Sequence, residues 1–126
     1  MQFKHQRDKD LFYLLHPLLI MVIGDMNLYC HDNNLPFVIT ETVTTLAQDK
    51  KLKRVSSSHR EKRSFDSSLR GWEESEIKTF IAHFSEKYKD IAAISGSTFK
   101  PRLIVRHNSG AGDHMHFQIH SKFTIK

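Results

Sequence analysis

Histidine is the residue type whose number and spacing could carry chemistry in this chain. The sequence holds nine histidines, and those in its last part are His107, His114, His116 and His120. Imidazole binds metal ions and transfers protons near neutral pH, so this cluster indicates a metal or proton-transfer site. The single cysteine, Cys30, offers neither a disulfide nor a pair of thiolate ligands. We therefore expect nitrogen and oxygen ligands for any bound metal.

Two segments combine histidine with an acidic residue. In the first, His59 precedes Asp66 by seven residues, and the second is the tetrapeptide Asp113-His114-Met115-His116. A catalytic zinc site takes three protein ligands from imidazole and carboxylate groups and leaves a fourth position to water. His59, Asp66 and His116 would supply such a set. The sequence therefore predicts one zinc ion per chain.

Catalysis at such a site also needs a group that takes a proton from the water. His114 and Asp113 are the two candidates. Side chains two residues apart on a strand point to the same face, so His114 and His116 can face one ion. Asp113 would point away unless it lies in the preceding loop. Strand parity favours His114 as the base and keeps Asp113 as the alternative.

Hydrophobic periodicity predicts the elements that position these residues. Apolar residues at three- and four-residue steps indicate a helix of about 13 residues that begins at Pro17 and ends near His31, and a second helix over 72–88. Strands are predicted over 37–40, 91–94, 103–105 and 114–125, whereas 42–52 is ambiguous. In the last strand Met115, Phe117 and Ile119 alternate with polar residues. The pattern predicts an α+β fold, with helices packed on one side of a small antiparallel sheet.

Length and charge restrict the class of protein further. A chain of 126 residues is expected to form a single domain over 1–126. Its net charge of +5 favours an anionic partner. The basic segment over 50–63 is either a solvated loop or an electrostatic contact to an anionic polymer. We do not expect nucleic acid as the partner, because aromatic residues do not interleave this segment beyond Phe65.

The apolar run over 11–23 needs separate consideration, because it follows a basic start. His16-Pro17 interrupts the run, Asp8 and Asp10 precede it, and no small-residue cleavage site follows. It is also shorter than the roughly 20 residues that a membrane span requires. We expect neither a signal peptide nor membrane insertion.

The order of these parts resembles the zinc peptidases of peptidoglycan. That family includes the D-alanyl-D-alanine carboxypeptidases and dipeptidases and the phage L-alanyl-D-glutamate endopeptidases, within a wider group that holds lysostaphin-type enzymes and the hedgehog domain. Ser57, His59 and Asp66 match the first motif of the family, and Asp113 to His116 match the second. The similarity covers about 15–119 and takes in the His-Pro helix, the Phe-Val-Ile-Thr strand and the stretch 67–72.

This resemblance implies a fold like that of the hedgehog domain and the D-Ala-D-Ala peptidases. It also implies that His59, Asp66 and His116 hold zinc, that His114 or Asp113 is the base, and that Ser57, His107 and Gln118 support the ligands. The implied activity is hydrolysis of an amide bond in the peptidoglycan stem peptide, at L-Ala-D-Glu or at D-Ala-D-Ala. An enzyme of the phage type, an endolysin, would be made in the cytoplasm and would act on the cell wall as a monomer.

The chain departs from the family pattern at three places. The glycine and alanine of the first motif are Lys62 and Ser64 here, and the arginine that orients substrate in the family is missing from 41–45. Arg63 is our candidate replacement. The missing arginine supports an alternative, a member of the same fold that binds metal without turnover and acts as a cell-wall or protein binding module. His120 is a candidate contact, while His5, His16, His31 and His83 are expected to take no part.

Overall fold

One five-stranded sheet organises the part of the chain that the computed structural model describes, which is 1–53, 57–109 and 112–123. The strands are β1 (Gln2–Phe3), β2 (Val38–Glu41), β3 (Ser64–Ser68), β4 (Ile104–Ser109) and β5 (Gly112–Gln118). They lie in the order β1-β2-β3-β5-β4, and each neighbouring pair is antiparallel except β1 with β2, which is parallel. The mixed α+β class and the small sheet are confirmed, but the parallel edge pair was not predicted.

Two long helices confirm the periodicity of the sequence. Helix α2 (Pro17–Asp32) begins with Pro17 at its first position, and the His16 ring accepts a hydrogen bond from the Leu18 amide. Helix α4 (Glu74–Lys87) begins at a capping box in which the Glu73 amide donates to the Glu76 carboxylate. Two short helices, α1 (Gln6–Leu11) and α3 (Leu46–Lys51), were not predicted. Their six residues each are too few for a clear hydrophobic period.

The hydrophobic core lies between α2, α4 and one face of the sheet. Phe65 of β3 and Phe117 of β5 stack with ring centroids 4.2 Å apart, and Phe80 of α4 meets Phe117 edge-on. Tyr29 of α2 packs edge-on against Phe80 and Phe84. Because these helices cover this face of the sheet, residues of opposite parity on the strands project from the other face.

The alternation predicted for the last strand is confirmed over β5. Met115 and Phe117 are fully buried, whereas His114, His116 and Gln118 lie on the opposite face and are partly exposed. The predicted end of this strand is wrong, because β5 ends at Gln118 and a 3-10 turn follows at Ser121–Phe123. The remainder of the predicted strand, residues 124 and 125, lies outside the described residues.

Two further expectations about strands need correction, and one strand was missed. Residues 91–94 form only isolated bridges, Ala92 with Ile119 and Ile94 with Pro101, and at the second of these Pro101 has no amide hydrogen with which to extend a ladder. Strand β4 begins at Ile104 and continues beyond Val105 to Ser109. Strand β3 was not predicted at all. Its sequence SFDSS has no β-branched residue, so pairing with β2 and β5 rather than local propensity makes it a strand.

Replacing Phe117 with alanine tests the aromatic contacts that join α4 to the sheet. We expect Phe117→Ala to lower the free energy of unfolding by about 3–5 kcal/mol, because it removes a fully buried ring. Urea denaturation would measure the change. Phe99 is 80% exposed, so Phe99→Ala is the matched control and should change stability by less than about 0.5 kcal/mol. Equal losses in both variants would contradict this account of the core.

Candidate metal centre

His59, Asp66 and His116 meet on the face of the sheet that α2 and α4 leave open. Asp66 and His116 are directly paired in register across β3 and β5, and His59 lies in the turn before β3. Asp66 Oδ1 lies 3.2 Å from His59 Nε2 and 2.8 Å from His116 Nδ1. One ligand atom from each residue lies within 4.8 Å of the other two. The three predicted ligands therefore form a candidate metal-binding triad.

The outer nitrogen of each imidazole is already bonded to an oxygen. His59 Nδ1 donates to the carbonyl oxygen of Thr42 at 2.8 Å, which directs Nε2 towards Asp66. His116 Nε2 donates to Gln118 Oε1 at 3.0 Å, which directs Nδ1 towards Asp66. These hydrogen bonds place the proton of each neutral ring on its outer nitrogen. The inner nitrogens are then free to bind an ion.

The ionisation of the triad also favours a bound cation. Burial alone would raise the pKa of Asp66, but its hydrogen bonds and charge interactions with His116 and His59 hold that pKa well below its usual range. For His59, burial disfavours the charged ring and would lower its pKa. The hydrogen bond and the charge of Asp66, together with the charge of Glu41, outweigh this effect and raise the pKa of His59. Two imidazole nitrogens and a carboxylate oxygen suit a divalent transition metal, which would replace the protons between these atoms.

His114 and His107 extend the imidazole-rich face beside the triad. They are paired in register across β4 and β5, and their ring centroids are 5.4 Å apart. His114 Nδ1 donates to the carbonyl oxygen of Gly112, so its Nε2 can accept a proton. Burial, followed by the charges of His114 and His116, lowers the pKa of His107, whose ring centroid lies 6.4 Å from that of His116. The structure thus places a proton acceptor on the same face as the ligands.

Asp113, the alternative base, has a different environment. It lies within β5 rather than in the preceding loop, so alternation directs its side chain away from the face of His114. Arg106 binds its carboxylate and also binds Glu74 at the start of α4. The hydrogen bond from Arg106 is the main cause that lowers the pKa of Asp113. Arg106 therefore links Asp113 of the β4–β5 hairpin to Glu74 of α4.

Two other predicted residues form a separate cluster. Ser57 Oγ donates to Glu61 at 2.6 Å, and Arg63 donates to the same carboxylate at 2.8 Å and to the carbonyl oxygen of Ile119. Arg63 is buried, and none of its hydrogen bonds within the described residues reaches the triad. The structure therefore brings Gln118 to the ligands, as expected, but does not bring Ser57 or Arg63 to them.

A cleft of about 810 Å³ opens beside the triad and was not anticipated from the sequence. Glu41, Asp66 and His114 line it next to the candidate metal position, and Glu41 Oε2 lies 3.8 Å from His59 Nε2. Arg70 follows Asp66 and Ser68 at two-residue steps, which is the only local signal that it belongs to this face. The other cleft residues that the sequence analysis missed, or expected to be uninvolved, are Lys4, His5, Arg7, Asp8, Val38, Thr40, Gln48, Leu52 and Ser68, and Asp113 lines the cleft as well.

Comparison with protein-family models, with curated proteins and with solved structures finds no match for this chain. Its class therefore follows from its own geometry: an α+β protein with a candidate metal-binding triad of two histidines and an aspartate on the open face of its sheet. Over the ranges that the structure describes, no helix is both long and apolar enough to cross a membrane.

The triad predicts the stoichiometry of metal binding. We expect titration calorimetry of chelator-treated protein with Zn²⁺ or Co²⁺ to show one ion per chain. His59→Ala and Asp66→Ala should each weaken binding by more than about 100-fold, since even the loss of an outer hydrogen-bonding partner typically costs about 10–100-fold. His31→Ala, at an exposed position near the end of α2, is the control. Unchanged affinity in His59→Ala would exclude this site.

The same residues predict how the stability of metal-free protein depends on pH. Because the folded-state pKa of His59 is raised, its charged form stabilises the fold fully below the unfolded-state value of 6.5, and this contribution is lost as pH rises through the folded-state pKa. Asp66, whose pKa is lowered, stays ionised over this range. We expect the free energy of unfolding to fall as the pH rises from about 6.5 through the folded-state pKa of His59.

Urea denaturation in the presence of a chelator would measure this decrease. Asp66→Asn is the matched variant, because it removes the charge that raises the pKa of His59. The decrease should be much smaller in Asp66→Asn. A decrease of the same size in both proteins would show that another group is responsible.

Proposed function

We propose that this chain is a zinc-dependent peptidase that hydrolyses an amide bond in the stem peptide of peptidoglycan, with the fold of the hedgehog domain and the D-Ala-D-Ala peptidases. The observation that carries the proposal is the triad of His59, Asp66 and His116, of which Asp66 lines an open cleft. A site with three protein ligands leaves a position for water and substrate, as catalytic zinc sites do. An L-Ala-D-Glu or D-Ala-D-Ala linkage would then lie in the cleft.

The donor set of the triad fits zinc, which when bound would supply Lewis acidity and lower the pKa of water. His114 lies on the same face, with Nε2 available to take a proton and return it to the leaving amine. Glu41, 3.8 Å from His59 Nε2, is a second carboxylate at the site. Thr42 and Gln118 keep the ligand rings oriented.

The cleft also suits an anionic peptide. Arg70 and Lys4 line it, both are exposed, and among the described residues neither side chain has a hydrogen bond or ion pair. Arg7 lines it as well, but donates to Gln48 and to the carbonyl oxygen of Val43. Stem peptides carry free carboxylates, for which guanidinium and ammonium groups are natural partners. The net charge of +5 further favours an anionic wall.

A catalytically silent binding module is the second candidate function. The segment 41–45 contains no arginine, and Arg63, our expected replacement, is bonded to Glu61 and Ile119 instead of facing the cleft. A protein of this kind would hold the metal and bind a wall fragment or a protein partner without cleaving it. The phage origin, the action at the cell wall and the monomeric state belong to the first proposal.

Release of new amino groups from purified peptidoglycan tests the peptidase directly. We expect zinc-loaded protein to release them and His116→Ala to be inactive, because it lacks a ligand. His114→Ala should keep its metal but lose about 10²–10⁴-fold in rate, the usual contribution of general acid–base catalysis. His31→Ala should match the original protein.

The outcomes separate the two candidate functions. Equal release by His116→Ala and the original protein, or no release by either after zinc loading, would contradict the peptidase. Salt-dependent retention on wall fragments without bond cleavage would instead support the binding module.

A further inference from the structure

We propose that Asp8, on α1, is a positioning residue for the metal ligand His59. Asp8 lies 51 positions before His59 and outside 15–119, the part of the chain that resembles the peptidases. Among the described residues it has no hydrogen bond or ion pair to the triad, although it lines the same cleft as Asp66. Its influence would pass through Thr42, which contacts Asp8 on one side and His59 on the other. The inference concerns the candidate metal centre and does not depend on which bond, if any, the protein cleaves.

The first contact is between Asp8 and Thr42. Asp8 is 2% exposed, and its Oδ1 accepts hydrogen bonds from the Thr42 amide at 2.8 Å and from Thr42 Oγ1 at 2.9 Å. A buried carboxylate is costly unless donors of this kind satisfy it. The neighbouring Arg7 is ion-paired with Asp8 at 3.5 Å. The bonds to Thr42 are therefore a fixed contact between α1 and the chain after β2.

The local strand geometry explains why Thr42 needs this partner. The pairing of β2 with β3 shifts register between Ile39 and Glu41, and Glu41 is the last residue of β2. The amide of Thr42, which is fully buried, thus lies beyond the ladder and must be satisfied by another acceptor. Asp8 provides it. The next residue, Val43, is also held by α1, because Arg7 donates to its carbonyl oxygen.

The second contact is between Thr42 and His59. The carbonyl of Thr42 lies between the amide held by Asp8 and the carbonyl held by Arg7, so its direction is fixed on both sides. That carbonyl accepts from His59 Nδ1 at 2.8 Å. An oxygen that can only accept keeps the proton on Nδ1 and leaves Nε2 facing Asp66, 3.2 Å away. Asp8 therefore orients the ligand nitrogen without touching it.

Histidine-selective nitrogen-15 NMR of the metal-free protein tests the inference independently of activity. We expect the Nδ1 proton of His59 to exchange slowly with solvent in the original protein and faster in Asp8→Asn. In Asp8→Ala its signal should be absent. Affinity for Co²⁺ should fall by about 10-fold or more in Asp8→Ala, the usual effect of losing an outer partner, and by less in Asp8→Asn. Asn keeps a carbonyl oxygen that can accept from Thr42. Asp10→Ala, on the exposed side of the same helix, is the control and should change neither quantity.

A purely structural role for Asp8 would give a different result. Urea denaturation would then show lower stability in both Asp8 variants, while the Nδ1 proton of His59 and the Co²⁺ affinity stayed unchanged, and this would overturn the inference. If Asp8→Ala does not fold, the Nδ1 proton of His59 and the Co²⁺ affinity in Asp8→Asn alone test the inference. If the original protein binds no Co²⁺, the proposed function fails but the Nδ1 proton still decides the role of Asp8.

Discussion

Two imidazole nitrogens converge on one buried carboxylate, and the other features of the candidate site follow from this contact. His59 and His116 both direct their inner nitrogen at Asp66 Oδ1, because Thr42 and Gln118 hold the outer ones. These three atoms are all electron-pair donors, so they approach one another this closely only with a positive charge among them. The raised pKa of His59 favours a proton on that ring in the metal-free protein, and a divalent ion would supply the charge with a geometry that three protein ligands can satisfy.

The sheet makes this arrangement feasible by dividing its two faces between stability and chemistry. The face covered by α2 and α4 holds the stacked rings of Phe65 and Phe117, which fix β3 against β5. The residues next to them in sequence, Asp66 and His116, are consequently fixed opposite each other on the open face. The stacked pair of Phe65 and Phe117 therefore supports the polar pair beside it, which is the support that a site needs if its ligands are to stay within bonding distance.

The short helices outside the sheet hold the chain that follows β2. The first helix reaches the chain beyond β2 through Asp8 and Arg7, and Thr44 at the same segment donates to the buried Asp49 of α3. These contacts hold the wall of the cleft opposite the imidazole-rich face. Within the described residues the Arg70 and Lys4 side chains have no hydrogen bond or ion pair, so they are available to an anion in the cleft, whereas Arg63 is engaged elsewhere. Charge placement, rather than net charge alone, would therefore select the ligand.

Local sequence patterns predicted the α+β class, both long helices, the alternation of β5 and the three triad residues, because periodicity and residue chemistry are local properties. It did not predict β3, whose polar residues become a strand only between β2 and β5. Strand parity also predicts that His114 shares a face with His116, whereas the binding of Asp113 by Arg106 follows from the packing of distant segments. The same packing buries Arg63 away from the cleft and brings Asp8 to Thr42. These outcomes depend on strand register and on contacts between distant segments, which no local pattern encodes.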